Sequence, residues 1–322
     1  MNDLQQALAP LLAQPDAAVL MLAPHPDDET LGAGGLLQRA AAAGARVQVA
    51  LLTDGDNNPW PQRWTTRRWT IDGAARAAWG ARRRAEAAAA LRALGLRDAD
   101  LLPLGWPDQG ISERIADACA DSVARLRALL LATRPTLLVA PVLEDHHPDH
   151  SAARVLLEAA LAGIGLPHPP LWGFAVHGRA PAVLALPLQA AETVGKLRAL
   201  ECHRSQLLLA GGRWRRRVHA GEFYQRVAPS ALPITDAVAA LPWRPAAAAL
   251  QDARLLVVTP AASWQLPWRD GAQAGPLRLH LGAQPQLLLT APQPVLWIKL
   301  YSARRNAWIF DHWGWRRYRE AA

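Results

Sequence analysis

One stretch near the start of the chain, Ala17–Gly35, constrains the fold more than any other. It opens with seven apolar residues and passes without a linker into His-Pro-Asp-Asp-Glu at positions 25–29. A short, continuous apolar run that ends at proline and acidic residues is typical of a buried parallel strand. The acidic residues suit the first turn of a following helix, because negative side chains favour that end of the helix dipole. The polar residues are therefore expected at the carboxyl end of a strand, where open α/β sheets bind ligands.

The spacing of the polar residues in this turn suggests a metal site. His25 and Asp28 are three residues apart, so they project to the same side of a helical turn, and imidazole and carboxylate are both zinc ligands. Asp27 points elsewhere and is placed to act as a general base on a nearby water. The alternative is that the two aspartates only cap the helix. One ligand pair does not complete a metal site.

A second stretch, Thr136–His150, repeats the same order of features. An apolar run is followed by His147, Pro148, Asp149 and His150 and then by an alanine-rich helical segment. A further ligand and a second histidine from another strand end would give a three-ligand site with an open position for water. The adjacent His146 is interpreted as a surface histidine without a role.

The remaining apolar patterning alternates between strands and helices. Strands are predicted at 46–52, 99–104 and 171–176, and helices at 1–15, 30–43, 81–94, 112–133 and 151–162. This alternation predicts an α/β fold with a largely parallel, Rossmann-like sheet flanked by helices. Gly32, Gly34 and Gly35 lack dinucleotide-binding spacing, so they are expected to allow close helix-to-sheet packing.

Two segments interrupt or follow this pattern. Residues 56–80 show no core periodicity but carry four tryptophans among several arginines, which suits either a cap packed on the core or a lid over substrate. Residues 229–250 are rich in proline and alanine and are predicted to be a linker or bridging segment. From 251 onward, short apolar runs such as LLVVT, VLWIKLY and AWIFDHW alternate with turns. They predict a small antiparallel β module at 251–322, after a main domain at 1–228.

Composition narrows the functional classes. The net charge is +8, but only two residues are lysine and no nucleic-acid-binding motif is present, so nucleic acid is not an expected partner. The two cysteines lack CxxC spacing, which argues against a cysteine metal site or a disulfide framework. The longest later apolar stretch is broken by Arg134 and Pro135, and the amino terminus lacks a secretory pattern. A cytoplasmic protein without a transmembrane segment is expected.

The two histidine motifs resemble those of a known family. APHPDDE followed by a glycine-rich turn, and HPDH after a later strand, are similar to the motifs of the N-acetylglucosaminyl-phosphatidylinositol de-N-acetylase family, also called PIG-L or LmbE-like. The resemblance covers roughly residues 15–227. Weaker features in the same order are Thr53-Asp54-Gly55, Arg83 before Glu86, Asp108, and KLRALECHRSQ at 196–206.

The resemblance implies a zinc-dependent deacetylase that releases acetate from an N-acetylglucosamine-type sugar or glycoconjugate. It implies a role for each motif residue: zinc ligands His25, Asp28 and His150; general base Asp27; His147 to stabilise the oxyanion or protonate the leaving amine; Asp149 to orient a histidine; and Arg83 and Asp108 to bind sugar. For the last two, the alternatives are a surface arginine and a turn aspartate.

Further expectations concern the substrate, the metal and competing functions. Tryptophan faces stack on sugars and arginine grips phosphate, so Trp64 and Arg68 are predicted to bind a substrate that is anionic or lipid-linked, with peripheral membrane contact. Two histidines and a carboxylate also suit non-haem iron, so an iron enzyme is one alternative. A non-catalytic glycan-binding protein is the other.

Overall fold

The computed structural model describes residues 3–164, 168–178, 183–219, 221–226, 231–245, 252–302 and 313–321. The chain divides into two compact units. The first contains residues 1–110, 130–142 and 168–227, and the second contains 111–129, 143–167 and 228–322. The limits at 228 and 250, which separate the main domain, the linker and the β module, remain a prediction.

The described residues form sixteen strands and eight α-helices. The strands are β1 Ala18–Ala23, β2 Arg46–Thr53, β3 Leu101–Trp106, β4 Leu137–Pro141, β5 Leu171–Phe174, β6 Val183–Leu186, β7 Glu222–Gln225, β8 Ala231–Thr235, β9 Val238–Ala240, β10 Ala253–Val258, β11 Ser263–Pro267, β12 Gln273–Ala274, β13 Leu277–Leu281, β14 Pro285–Leu289, β15 Val295–Ser302 and β16 Arg316–Glu320. The helices are α1 Asp3–Leu12, α2 Asp28–Ala42, α3 Pro59–Thr66, α4 Gly73–Ala93, α5 Ile111–Thr133, α6 Pro148–Ala162, α7 Ala190–Cys202 and α8 Arg204–His219.

The first unit contains a sheet of seven strands among the described residues, in the order β3-β2-β1-β4-β5-β7-β6. β1 pairs in parallel with both β2 and β4, and only the β5–β7 and β7–β6 pairs are antiparallel. Every residue of β1 is buried, which explains its continuous apolar sequence. The largely parallel sheet is confirmed. β1 and β4 are neighbours, and each is followed along the chain by one of the two histidine motifs.

The glycines of α2 serve packing, as predicted. A Cβ built on Gly32 would lie 2.6 Å from the ring of Phe174 on β5. Such a distance is shorter than real Cβ contacts allow, so a larger residue would push the helix away from the sheet. The chain thereby brings the first turns of α2 close to the strands that carry the polar residues.

The segment at 56–80 is more ordered than its sequence pattern indicated. Pro59 opens α3, and Asp72 caps α4 by accepting a hydrogen bond from the amide of Ala75 at 2.7 Å. α4 therefore begins eight residues earlier than predicted, at Gly73 instead of Ala81. Trp79 is buried in α4, whereas Trp60, Trp64 and Trp69 are exposed. Only Trp79 packs as the core-cap interpretation requires.

The second unit contains a sheet of nine strands among its described residues, in the order β11-β10-β15-β16-β8-β9-β14-β13-β12. All pairings are antiparallel except β8 with β16, and the edge strands β11 and β12 contact each other, so the sheet is nearly closed. The predicted β module is thus confirmed in kind but is larger than expected, because β8 and β9 lie within the segment predicted to be a linker. Of the run AWIFDHW, all but Trp313 lies outside the described residues.

Candidate active site

His25 and Asp28 lie side by side in the turn between β1 and α2. Asp28 Oδ2 accepts a hydrogen bond from the His25 amide at 2.8 Å and lies 3.3 Å from His25 Nδ1. The other ring nitrogen, Nε2, lies 3.2 Å from Oδ1 of Asp108, which follows β3. Both ring nitrogens therefore face carboxylate oxygens, which fixes the ring plane. The spacing predicted the His25–Asp28 contact, but not that Asp108 would reach the same ring.

Asp108 is held in place by several contacts. Its Oδ2 accepts a hydrogen bond from the Asn57 amide at 2.6 Å, and its carbonyl accepts one from the Asn57 side chain at 3.2 Å. Burial alone would raise the pKa of Asp108, but the hydrogen bond and charge of His25 outweigh burial and hold the pKa below its ordinary value. The carboxylate stays ionised beside His25. Asp108 therefore contacts protein groups near this turn, whereas the resemblance implied that it binds sugar.

Asp27 has an unusual backbone conformation and a perturbed carboxyl group. Its φ and ψ angles are 120° and −24°. Its carbonyl accepts the first helical hydrogen bonds, from Thr30 and Leu31, but within the described part of the chain its side chain caps no amide. The backbone carbonyl of Asp27 therefore caps the helix, but its side chain does not. The carboxylate is paired instead with Arg83 at 3.3 Å.

Burial sets the acidity of this carboxylate. Desolvation raises the pKa of Asp27 to about 6, Arg83 opposes the rise through its positive charge, and the negative charge of Asp28 adds to it. A carboxylate with a pKa near neutrality is well matched to general base catalysis. The physical chemistry of Asp27 thus suits the role that the resemblance implied.

Arg83 is a buried residue of α4 whose contacts all lie around this turn. Its guanidinium donates to the carbonyls of Gly55 at 2.8 Å and Pro26 at 2.6 Å, and it lies 3.3 Å from Asp27 Oδ2. Gly55 has a φ of +63°, and any Cβ there would overlap the guanidinium. The glycine of Thr53-Asp54-Gly55 therefore makes room for Arg83. The surface-arginine alternative is wrong, because Arg83 is only 4% exposed.

Sequence reasoning assigned no role to the pair formed by Glu29 and His203. His203 Nε2 lies 2.7 Å from Glu29 Oε1, which also accepts a hydrogen bond from the Thr30 hydroxyl at 2.8 Å. Burial would raise the pKa of Glu29 and lower that of His203, but their mutual attraction outweighs burial and shifts both in the opposite direction. The sequence did contain a signal for both residues, since Glu29 ends the HPDDE motif and His203 lies within the family-like stretch KLRALECHRSQ.

The second histidine motif, which lies in the other unit, has its own hydrogen-bond network. His150 is fully buried, and its Nδ1 lies 3.2 Å from Asp145 Oδ2. The other Asp145 oxygen accepts a hydrogen bond from the His147 amide at 2.9 Å. Asp145 lies outside the HPDH motif and had no predicted role. A carboxylate on one ring nitrogen commonly orients a metal-binding histidine and leaves the other nitrogen for the ion.

His147 and Asp149 are joined through the start of α6. The Asp149 amide donates to His147 Nδ1 at 3.2 Å, so a neutral His147 carries its proton on Nε2. Asp149 Oδ1 accepts a hydrogen bond from the amide of Ile111 at 3.0 Å. His146 is exposed, as predicted.

Several of these side chains have the chemistry of metal ligands. Among the residues that the structure describes, His25 and Asp108 in the first unit, and His147, Asp149 and His150 in the second, are buried and carry ligand atoms that could bind a metal ion. Imidazole and carboxylate donors without cysteine suit zinc and also iron. The predicted ligands His25, Asp28 and His150 are all buried. Their role as the ligand set remains a prediction.

The predicted substrate residues Trp64 and Arg68 lie on and just after α3. Trp60, Trp64 and Trp69 are 60%, 70% and 79% exposed, and Arg68 is also exposed. Arg63 stacks 5.3 Å from the ring centre of Trp60 and donates to the carbonyl of Trp69 at 3.0 Å. Between Asn57 and Ile71 the chain has three arginines and no acidic residue. This exposed aromatic and basic surface is called the Trp–Arg segment.

Comparison with known proteins agrees with the geometry. The profile of the family described as "PIG-L: GlcNAc-PI de-N-acetylase" matches residues 20–161. A 1D-myo-inositol 2-acetamido-2-deoxy-alpha-D-glucopyranoside deacetylase of Mycobacteroides abscessus is 33% identical over 156 residues, covering 44% of this chain and 54% of the relative. The enzyme of the same description from Mycolicibacterium smegmatis is 33% identical over 157 residues, covering 45% and 53%. The match therefore spans about half the length of these relatives.

One solved structure, a deacetylase complex from the teicoplanin biosynthesis pathway, aligns with a TM-score of 0.51 at 21% identity. It covers 66% of this chain and 100% of that chain. Likeness at this identity shows the fold alone. Within the described residues, no helix is both long enough and apolar enough to cross a membrane.

Proposed function

We propose that the chain, which matches the GlcNAc-PI de-N-acetylase (PIG-L) family over residues 20–161, hydrolyses the N-acetyl amide of an N-acetylglucosamine-type glycoconjugate. The products are acetate and a free amine. The observation that supports the proposal most is Asp27, a largely buried carboxylate with a pKa of about 6 whose side chain is not used as a helix cap. Such a group in the family motif is suited to accept a proton from water.

We propose that zinc is held by His25, Asp28 and His150. When bound, zinc supplies a positive charge that polarises the amide carbonyl and acidifies water. The donor set fits this ion, because His25 and His150 are buried and each has a carboxylate partner that fixes its ring. Iron is the alternative metal.

The protein residues have separate tasks in this proposal. Asp27 accepts a proton from the attacking water, whose oxygen bonds to the carbonyl carbon, and the proton then passes to the nitrogen as the carbon–nitrogen bond breaks. His147 donates a hydrogen bond from Nε2 to the developing oxyanion; as an imidazolium it would instead supply the proton to the amine nitrogen in place of Asp27. Asp149 supports His147 through its amide. Arg83 and Asp108, predicted to bind sugar, act on the reaction through their contacts with Asp27 and His25.

We further propose that the substrate carries an anionic or lipid-linked group and that Trp64 and Arg68 contact it. The Trp–Arg segment exposes three aromatic side chains beside arginines, and its chain leads directly to Asn57, which bonds Asp108. A cavity of about 490 Å³ is lined by residues of this segment, including Asn57, Gln62 and Arg63. Aromatic rings and guanidinium groups together suit a sugar phosphate or the surface of an anionic membrane, which implies peripheral contact.

The test of activity uses the full chain loaded with zinc. Free N-acetylglucosamine, a soluble inositol conjugate and GlcNAc-phosphatidylinositol in vesicles are each supplied, and both acetate and amine are measured. We expect release from a conjugate, and Asp27→Asn should lower the rate about 10²–10⁴-fold while zinc is retained. Sugar binding without acetate release would favour the non-catalytic glycan-binding alternative. Activity that requires ferrous iron under anaerobic conditions, and is absent with zinc, would favour the iron enzyme.

A second experiment tests the Trp–Arg segment. Trp64→Ala combined with Arg68→Gln should raise KM for the lipid-linked substrate more than for the soluble one. Leu208→Ala with Leu209→Ala is the matched control, because these exposed apolar residues lie on α8. An equal rise in KM for both substrates would show that the Trp–Arg segment does not recognise the lipid part of the substrate.

A further inference from the structure

We infer that Glu29 and His203 are positioning residues that hold Asp27 in its reactive conformation. The inference rests on the proposed function of Asp27 as a general base. It assigns a task to a buried pair that the reaction itself does not use. His203 lies just after α7, 174 positions along the chain from Glu29.

The backbone of Asp27 requires an external restraint. A φ of 120° lies in a region that residues with a Cβ rarely adopt, and such conformations persist only when the surroundings stabilise them. The restraint on the amide side is Glu29, whose Oε2 accepts a hydrogen bond from the Asp27 N–H at 3.0 Å. On the other side, Arg83 bonds the carbonyl of Pro26 in the same peptide unit. The peptide that leads into Asp27 is therefore held at both its oxygen and its nitrogen.

Glu29 can hold this amide only if its own carboxylate is fixed. Oε1 is contacted by the Thr30 hydroxyl and by His203 Nε2, so one oxygen is anchored while the other faces the Asp27 amide. The His203 ring is 1% exposed, and its Nδ1 has no hydrogen-bond partner among the described residues. Within the described residues, the polar contacts of the ring are therefore made by Nε2 alone, to Glu29 at 2.7 Å and to the Thr30 hydroxyl at 3.3 Å. Loss of His203 would free Glu29 to rotate and Asp27 to relax.

A second buried pair in the same unit provides a matched control. Lys196, on α7, lies 2.5 Å from Glu222 on β7, and Glu222 accepts hydrogen bonds from the amides of Gly35 and Leu36 in α2. This pair bonds α2 at Leu31, where Lys196 Nζ donates to the carbonyl at 3.3 Å, and at Gly35 and Leu36, but neither residue bonds the peptide between Pro26 and Asp27. Lys196→Met should therefore destabilise the unit without changing the conformation of Asp27.

The test compares His203→Ala, His203→Gln and Lys196→Met in the zinc-loaded full chain. Misplacing a catalytic group by about 1 Å costs on the order of 10²-fold, so His203→Ala should lower kcat by about ten- to a hundredfold with KM and bound zinc unchanged. His203→Gln should recover much of the loss, because its amide can still donate to Glu29. Lys196→Met should keep kcat although its unfolding midpoint falls.

A readout independent of activity is hydrogen exchange at the Asp27 amide, followed by NMR. Exchange should be faster in His203→Ala and unchanged in Lys196→Met. The inference is overturned if His203→Ala keeps both kcat and the protection of this amide, or if Lys196→Met changes both equally. If wild-type protein deacetylates nothing yet His203→Ala exposes the Asp27 amide, the proposed function fails while the positioning of Asp27 stands.

Discussion

Replacing Gly55 by alanine tests whether Arg83 is the residue that this glycine accommodates. Gly55 has a φ of +63°, and an added Cβ would overlap the Arg83 guanidinium. The left-handed conformation alone costs an alanine roughly 1–2 kcal/mol. Displacing the guanidinium also weakens its hydrogen bonds to Gly55 and Pro26, each worth about 1.5–3 kcal/mol because the donor is charged. Because the guanidinium can shift and recover part of these hydrogen bonds, we expect Gly55→Ala to lower the free energy of unfolding by about 3–5 kcal/mol.

The control for backbone strain is Gly44→Ala. Gly44 has a φ of +81° and no atom within 4 Å of an added Cβ, so only the conformational cost of roughly 1–2 kcal/mol applies. Urea denaturation of both variants measures the difference in unfolding free energy, provided the denaturant dependence (m) is unchanged. In an Arg83→Ala background, Gly55→Ala should cost no more than Gly44→Ala. Equal losses for Gly44→Ala and Gly55→Ala in the wild-type background would refute the reasoning.

Three further predictions concern the metal, the oxyanion and pH. His150→Ala and Asp28→Ala should lower the zinc content measured after dialysis. If His147→Ala loses zinc while Asp28→Ala keeps it fully, the third ligand is His147 and not Asp28. If instead His147 acts on the oxyanion, His147→Ala should keep zinc and lower kcat by about 10²–10³-fold. The Glu29–His203 pair should make stability depend on pH. The folded pKa of His203 is raised above 6.5, so its contribution is complete below that pH and is lost as pH rises through the raised value. The folded pKa of Glu29 is lowered below 4.5, so its contribution is complete above that pH and is lost as pH falls through the lowered value. Unfolding midpoints between about pH 4.5 and 6.5 should therefore show the largest loss in Glu29→Gln, and a loss that does not vary with pH would contradict the sign of both shifts.

The sequence by itself determined many of the local elements and selected the residues of the candidate site. Continuous apolar runs followed by polar turns identified β1 and β4, because a strand buried on both faces cannot alternate. The i, i+3 spacing placed His25 beside Asp28, since neighbours on one helical turn meet whatever the rest of the fold does. Local periodicity also predicted α1, α2, α5, α6 and the later part of α4, but not α3, α7 or α8.

The tertiary structure decided which distant groups surround these residues. Arg83 reaches Pro26 across 57 positions and His203 reaches Glu29 across 174, and neither contact has a periodicity that a sequence can display. The same holds for β8, which pairs in parallel with β16 although its own segment resembles a linker. Such contacts depend on how helices and strands pack over long separations, whereas sequence patterns record only which residues each element buries. The conformation and acidity of Asp27 were therefore set by partners that only the folded chain brings together.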